Sequence, residues 1–183
     1  LKRVEGYRNF CNKLWNASRF VLMNLESKSI NFDAELSSPD RWILSRLQHV
    51  KTEVEKHIAD YRLDLMSQSL YEFVWHDYCD WYLELSKPLL ENNKTKQGCE
   101  ATLLKVLSET LILLHPIIPF ITEEIFEQSQ KLQKNSTEKL ISQPFPESDK
   151  GLINAEAEAE INWLKEFILG IRKIRGEMNI SPG

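Results

Sequence analysis

Membrane-length apolar runs, paired cysteines and an apolar leader are missing from this 183-residue sequence. No stretch of about 18 consecutive apolar residues occurs, so the sequence predicts neither a spanning helix nor a membrane partner. The three cysteines, Cys11, Cys79 and Cys99, lie far apart and form no CxxC pair. We therefore expect three buried, reduced thiols in a cytoplasmic protein, with neither disulfides nor a metal site.

The common catalytic motifs are missing as well. The six glycines are scattered and stand in neither GxGxxG nor GxxxxGK[ST] order, and no GxSxG or HExxH string occurs. Asp77 and Asp80 share a predicted helix face with His76 nearby, an arrangement that suits acid–base catalysis but is routine among solvated helix carboxylates. The sequence favours binding over turnover, and we expect no catalytic residue in this chain.

What the sequence does have is the periodicity of helices along nearly its whole length. Apolar residues near the beginning recur at alternating spacings of three and four, which predicts a helix of about six turns. The stripe predicted to be buried on this first helix is Val4, Tyr7, Cys11, Leu14, Ser18, Val21 and Leu25.

Further helices follow the same rule. Ser38-Pro39 is a good cap and first turn for the second. The third is predicted from about Asp64 to Lys87, with its end marked by Pro88 and the polar run Asn92-Asn93-Lys94. A fourth helix ends at the prolines of 115–119, and a shorter one follows. A last helix begins near Asn154, with a predicted buried stripe of Ile161, Leu164, Ile168, Ile171 and Met178.

These elements predict an all-α fold, an antiparallel helix bundle. The bundle occupies residues 1–134, an irregular connection with a short strand at Leu140-Ile141 occupies 135–153, and the last helix occupies 154–183. The chain lacks an initiator methionine and stops abruptly, so we expect a piece of a longer polypeptide whose next segment follows the last helix.

Charge is distributed unevenly along the chain. The net charge is −4, yet residues 1–25 hold five basic residues against one acidic residue, and residues 161–183 are also net positive. Basic ends on an acidic body indicate an oriented binding face rather than a general affinity for nucleic acid.

One side of the first helix combines amides, cations and a ring. Opposite its apolar stripe lie Lys2, Asn9, Asn12, Lys13, Asn16 and Phe20, with Arg8 and Arg19 on the flank. Amides read base edges, cations neutralise phosphates and rings stack on bases, which together recognise unpaired RNA. The alternative is that Phe20 packs against a neighbouring helix and the amides line a groove, and periodicity alone favours that alternative.

A second cluster of rings lies on the third helix, at Tyr71, Trp75, Tyr78, Trp81 and Tyr82. Such rings can stack on bases, but a stripe of this kind more often belongs to the core, with its polar atoms paired at the edge. We therefore expect these rings to be core residues.

Four long motifs resemble the helical anticodon-binding portion of valyl-tRNA synthetases, a family of class I aminoacyl-tRNA synthetases, and a fifth, at 171–182, resembles the start of that family's next segment. They cover nearly the whole chain in order: RNFCNKLWNASRFVL at 8–22, DRWILSRL at 40–47, LYEFVWHDYCDWYLE at 70–84, LHPIIPFITEE at 114–124 and IRKIRGEMNISP at 171–182. Isoleucyl and leucyl enzymes share the Arg-Asn opening and the HPxxPF turn, whereas the NKLWN and CDWY runs look more like valine enzymes.

The resemblance implies a ligase that uses ATP and Mg²⁺ to join valine to its tRNA, with a separate editing domain. No HIGH-like or KMSKS-like string occurs here, so the chain itself is expected to be non-catalytic and without a cofactor. Its implied partner is the anticodon stem-loop of valine tRNA, and the whole enzyme is expected to be monomeric. Carried over by motif, the anticodon-contacting residues are Lys2, Asn12, Lys13, Asn16, Arg19 and Phe20.

Two alternatives stay open at this point. One is the anticodon domain of an isoleucyl- or leucyl-type synthetase. The other belongs to a different class, a helical scaffold whose apolar grooves receive a helix of a partner protein.

Overall fold

The computed structural model describes residues 2–25, 30–133 and 138–180, without the side chains of Lys2, Arg3, Leu132 and Gln133. Within these ranges all regular structure is helical and no strand occurs, which confirms the predicted all-α bundle. The α-helices are α1 (Lys2–Asn24), α2 (Ser38–Ala59), α3 (Leu63–Glu72), α4 (Leu83–Glu91), α5 (Lys96–Leu114), α6 (Pro119–Gln133) and α7 (Ala155–Glu177).

Helix α5 is the centre of the bundle. It contacts α1, α2, α4 and α6, and most of its side chains are buried on every side. The sequence allows this because the helix is apolar almost all round, with few charged residues. Gly98 in its first turn lies directly beneath the loop before α2, since a Cβ there would stand 2.2 Å from the carbonyl oxygen of Glu35.

The N-terminus of α2 is fixed by a buried polar cluster. The cap is Ser37 rather than the predicted Ser38, because Asp40 accepts a hydrogen bond from the Ser37 backbone N–H at 3.0 Å. The same carboxylate is fully buried and also accepts a hydrogen bond from the Ser37 hydroxyl. A further hydrogen bond, 2.6 Å long, comes from the hydroxyl of Tyr82. This bond ties the start of α2 to the middle of the bundle.

Helices α3 and α4 are joined without a break by a π-helical segment, Phe73–Tyr82. The predicted end at Lys87 is too early: helix continues through Pro88 to Glu91 and ends at the polar run Asn92-Asn93-Lys94, the second of the two predicted stop signals. Leu89 and Leu90 pack against the core on the far side of Pro88, which offsets the loss of one backbone hydrogen bond.

The connection before α7 contains two short 3₁₀ turns, Leu140–Ser142 and Lys150–Leu152. The strand predicted at Leu140-Ile141 is therefore wrong, because no neighbouring strand is available to pair with it in the described ranges and Leu140 instead buries its side chain at the end of a turn. Residues 135–137 of the predicted connection and the closing residues 181–183 lie outside the described ranges.

Helix α7 starts as predicted, with the Asn154 side chain accepting a hydrogen bond from the Ala157 backbone N–H at 2.8 Å. Its first half packs on α2, burying Ile161. The predicted burial of Ile171 and Met178 is wrong, since Ile171 in the second half of α7 and Met178 just after its end are both exposed. The buried residues of α7, Ala157 and Ile161, both lie in its first half, so the described helices leave the second half uncovered.

No helix in the described ranges is long and apolar enough to cross a membrane.

Candidate nucleic-acid interface

The centre of the site predicted on α1 is open to solvent. Asn12, Asn16 and Arg19 are exposed, because the opposite side of α1 packs Leu14 and Val21 against α5 and α6. These three residues are called the α1 ridge below. Helix α1 includes Lys2, but its side chain lies outside the described residues.

Lys13 differs from the ridge in being held by the protein. Its ammonium group donates a hydrogen bond to Asp80 at the surface and lies 3.9 Å from the centre of the Trp75 ring. The side chain is half-buried between α1 and the π-helical segment. Lys13 therefore contributes charge from a fixed position beside the ridge, and a phosphate would have to compete with a carboxylate for it.

Phe20 lies on the same flank of the ridge, further along α1. Its ring is half-buried and packs against the edge of the core, with one side facing a pocket of about 290 Å³. This Phe20 pocket is lined by Phe20, Asn24, Lys87, Leu90, Glu91 and Lys96. Phe20 therefore packs against the protein, as the alternative interpretation expects, and also keeps part of its ring accessible, as base stacking requires.

A second depression lies on the other flank, between α1 and α6. This Trp15 groove has a volume of about 700 Å³ and is lined by Trp15, Ser18, Arg19, Leu22 and Met23 of α1 and by Ile125, Gln128 and Lys131 of α6. The contribution of α6 could not be predicted from the sequence, because only the packing of α6 on α1 brings those side chains together.

The tyrosines and tryptophans of the third helix divide between core and surface. Tyr78 and Tyr82 are fully buried, as expected for core rings. Tyr71 and Trp75 lie nearer the surface, where Phe10, Tyr71 and Trp75 form a stack with ring centres 5.1 and 5.5 Å apart. Lys13 sits on the end of this stack, so the rings position a cation of the candidate site.

The carboxylates considered for acid–base work take part in ion pairs. Asp77 accepts hydrogen bonds from Arg46 at 3.0 Å and from Lys165 at 3.2 Å. Asp80 accepts from Lys13 and lies 3.3 Å from the ring nitrogen Nδ1 of His76. Their partners link α2, α7 and α1 to the π-helical segment, which is a structural role.

The three cysteine side chains differ in burial. Cys99 is buried as expected, whereas Cys11 and Cys79 are only partly buried. Burial raises the pKa of Cys79 and of Cys99 to about 12. Low thiolate content suits packing rather than reactivity. No cluster of three potential metal-ligating side chains occurs in the part of the chain that the structure describes.

A helical bundle that presents amides, cations and accessible rings along one helix has the composition of an RNA-binding domain. The comparison with known families agrees. The chain belongs to the family described as the anticodon-binding domain of tRNA ligase, whose profile matches residues 40–183.

The match to individual proteins extends over α1, which the family profile does not cover. The chain is 48% identical, over 189 aligned residues and its whole length, to the valine–tRNA ligases of Legionella pneumophila strains Lens, Paris and Philadelphia 1. It spans about 20% of the length of each of these relatives.

Proposed function

We propose that this chain recognises the anticodon loop of valine tRNA, as part of a protein that joins valine to that tRNA. The observation that carries the proposal is the α1 ridge, which leaves two amides and a guanidinium in solvent between two depressions that each contain a ring. Membership of the anticodon-binding family and the whole-length identity to valine–tRNA ligases support it.

Each group on α1 has a distinct chemical role in this proposal. Asn12 and Asn16 present both donors and acceptors to the Watson–Crick edges of unpaired bases. Arg19 contacts phosphate, and Phe20 stacks on one base. Lys13, anchored by Asp80 and Trp75, adds positive potential beside the loop.

The chemistry of aminoacylation belongs elsewhere in the full-length protein. ATP and Mg²⁺ would act there, and this chain would contribute by holding the tRNA in register. We place the full-length protein in the cytoplasm as a monomer, in line with the properties implied by the resemblance.

The first test is a binding titration of the full-length protein with valine tRNA and with a tRNA of different anticodon. Phe20→Ala should weaken binding of valine tRNA by about 1–3 kcal/mol through the loss of one base stack. Phe120→Ala is the matched control, since this ring on α6 is exposed and lines neither depression. Unchanged affinity for Phe20→Ala would remove base stacking from the proposal.

Salt dependence tests the role of Lys13. If this lysine contacts a phosphate in the complex, Lys13→Ala should reduce the slope of log affinity against log salt by about 0.7–1. The charge-matched control is Lys56→Ala, an exposed lysine near the end of α2. An unchanged slope would mean that Lys13 stays on Asp80 and touches no phosphate.

One observation favours a second candidate function, a protein-interaction domain. From Trp163 to its C-terminal end, α7 exposes an apolar stripe at helical spacing, which continues onto the residue just after the helix: Trp163, Phe167, Ile171, Ile174 and Met178. Exposed apolar patches commonly mark contacts with other proteins. Weak binding in the titration, with no preference between the two tRNAs, would favour this function over RNA recognition.

A further inference from the structure

We propose that the Trp15 groove holds a second unpaired nucleotide of the same RNA, with its base against the indole of Trp15 and its phosphate between Arg19 and Lys131. The inference rests on the proposed function. It adds a second nucleotide site, whose outer wall comes from α6 rather than from α1.

The size and lining of the groove fit a planar aromatic ligand. Its volume of about 700 Å³ lies in the range of small-ligand sites, about 300–1,000 Å³. Trp15 is 38% exposed although it lies between two helices, and Leu22, Met23 and Ile125 supply the remaining apolar wall. A base placed here gains both a stacking face and apolar contact.

The charge of the groove complements an anion. Its rim carries Arg19 and Lys131, and no carboxylate belongs to its lining in the part of the chain that the structure describes. The nearby acids of α6 are already engaged: Glu127 is bonded to Lys139, and Glu124 accepts a 2.9 Å hydrogen bond from Gln128. Arg19 has no ion pair or hydrogen bond with any described residue, so its guanidinium is available to a phosphate.

The geometry of α1 separates this site from the Phe20 pocket. Successive residues of a helix are about 100° apart, so Trp15 and Phe20 point about 140° away from each other. One base cannot stack on both rings. Asn16 lies between them on the exposed ridge, where its amide is within reach of a base edge on either side. A loop crossing the ridge would place consecutive unpaired nucleotides into the two depressions.

An apolar helix from a partner protein is the competing occupant of such a groove. The two cations at the rim favour an anionic ligand over an apolar helix. Because the α1 ridge borders both the Trp15 groove and the Phe20 pocket, we expect the same RNA to occupy both. The experiment must therefore detect a base in the groove directly, in addition to a loss of affinity.

The experiment uses the full-length protein and valine tRNA carrying the fluorescent base 2-aminopurine at one anticodon-loop position at a time. Stacking on an indole quenches this base. We expect one position to be quenched by the wild-type protein and to regain its fluorescence with Trp15→Ala, and a different position to respond to Phe20→Ala. Trp15→Ala should also weaken binding about five- to hundredfold, the usual effect of losing one base stack.

Two further variants test the groove in other ways. One changes its rim without disturbing the fold, and the other changes the wall that α6 contributes. Met23→Glu places a carboxylate at the rim on a side chain that is 70% exposed, so the fold should persist while binding falls at least severalfold. Lys131→Ala, on α6, should reduce the salt slope by about 0.7. The controls are Phe120→Ala and Phe120→Glu, which make comparable changes on an exposed α6 residue outside the groove.

The outcomes distinguish the two proposals. If Phe20→Ala weakens binding while Trp15→Ala, Met23→Glu and Lys131→Ala bind as the wild type does, the groove holds no nucleotide and the proposed function still stands. If the wild-type protein shows no preference for valine tRNA and Phe20→Ala changes nothing, the proposed function fails and the groove site fails with it. Quenching that persists in Trp15→Ala also overturns the assignment of the base to this ring.

Discussion

Two buried tyrosines of the π-helical segment provide a matched pair for testing the packing account. The Tyr82 hydroxyl donates a 2.6 Å hydrogen bond to the buried carboxylate of Asp40, whereas the Tyr78 hydroxyl is buried with no partner among the described residues. Both side chains are fully buried, so the apolar contribution of the ring is the same. Removing each hydroxyl in turn isolates the hydrogen bond.

Tyr82→Phe should lower the free energy of unfolding by about 1.5–3 kcal/mol, because the bond is made to a charged group and its loss leaves a carboxylate oxygen buried without a donor. Tyr78→Phe should leave stability unchanged or raise it by up to about 2 kcal/mol, because the hydroxyl it removes is buried without a bond. In urea unfolding, the midpoint of Tyr82→Phe should shift to a lower urea concentration. The midpoint of Tyr78→Phe should stay where it is in the wild type or shift to a higher concentration. Equal losses of stability for the two variants would contradict this prediction, since the hydrogen bond to Asp40 would then contribute nothing measurable.

Three further predictions concern the fold. Gly98→Ala should destabilise the protein by about 1–3 kcal/mol, because the new methyl group meets the carbonyl of Glu35. The melting temperature should fall by several degrees, and an unchanged melting temperature would contradict this close approach. Tyr61→Gly should raise the free energy of unfolding by about 0.5–1 kcal/mol, since Tyr61 has a strained φ of 55° and its side chain is 91% exposed. A lower free energy of unfolding in urea would count against backbone strain at this residue. The raised pKa of Cys79 and of Cys99, about 12 in the fold against an ordinary 9.0, makes unfolding release protons above pH 9. The contribution of the two protonated thiols to the free energy of unfolding is therefore complete below pH 9. It is lost between pH 9 and 12, by up to about 1.4 kcal/mol per pH unit for each thiol. Unfolding curves that do not change between pH 8 and 11 would contradict this prediction.

The apolar periodicity identified the helices better than it identified their burial. On α1 the predicted stripe is right at Leu14, Ser18 and Val21 but wrong at Val4 and Tyr7, which are exposed. The same error occurs at the far end of α7. A repeat of three and four residues shows which face is apolar, but it does not show how far the neighbouring helices extend to cover that face.

The π-helical segment accounts for a second limit. An α-helix with 3.6 residues per turn would place Trp75 and Tyr82, seven residues apart, on nearly the same side, whereas residues 73–82 are wound more loosely. Tyr82 therefore turns inward to Asp40, while Trp75 turns outward beneath Lys13. A local change of winding leaves little trace in a sequence, because the same residues suit either helix.

The sequence predicts the part of the candidate site that lies on a single helix, but not the part that depends on contacts between helices. Asn12, Asn16 and Arg19 lie where the wheel of a single helix places them, on the open side of α1. The groups around them come from distant parts of the chain, such as Asp80 on Lys13 and Lys131 beside Arg19. Contacts of this kind depend on the packing of helices, which periodicity does not specify.

A photo-crosslink from the middle of the α1 ridge tests whether this ridge contacts the anticodon loop. The full-length protein would carry benzoylphenylalanine in place of Asn16, with the same group in place of the exposed Glu55 on α2 as the control. After irradiation with valine tRNA, we predict that the Asn16 position crosslinks to nucleotides of the anticodon loop and that the Glu55 position does not. Crosslinks from Asn16 to another arm of the tRNA, or none from a protein that binds this tRNA tightly, would contradict the account.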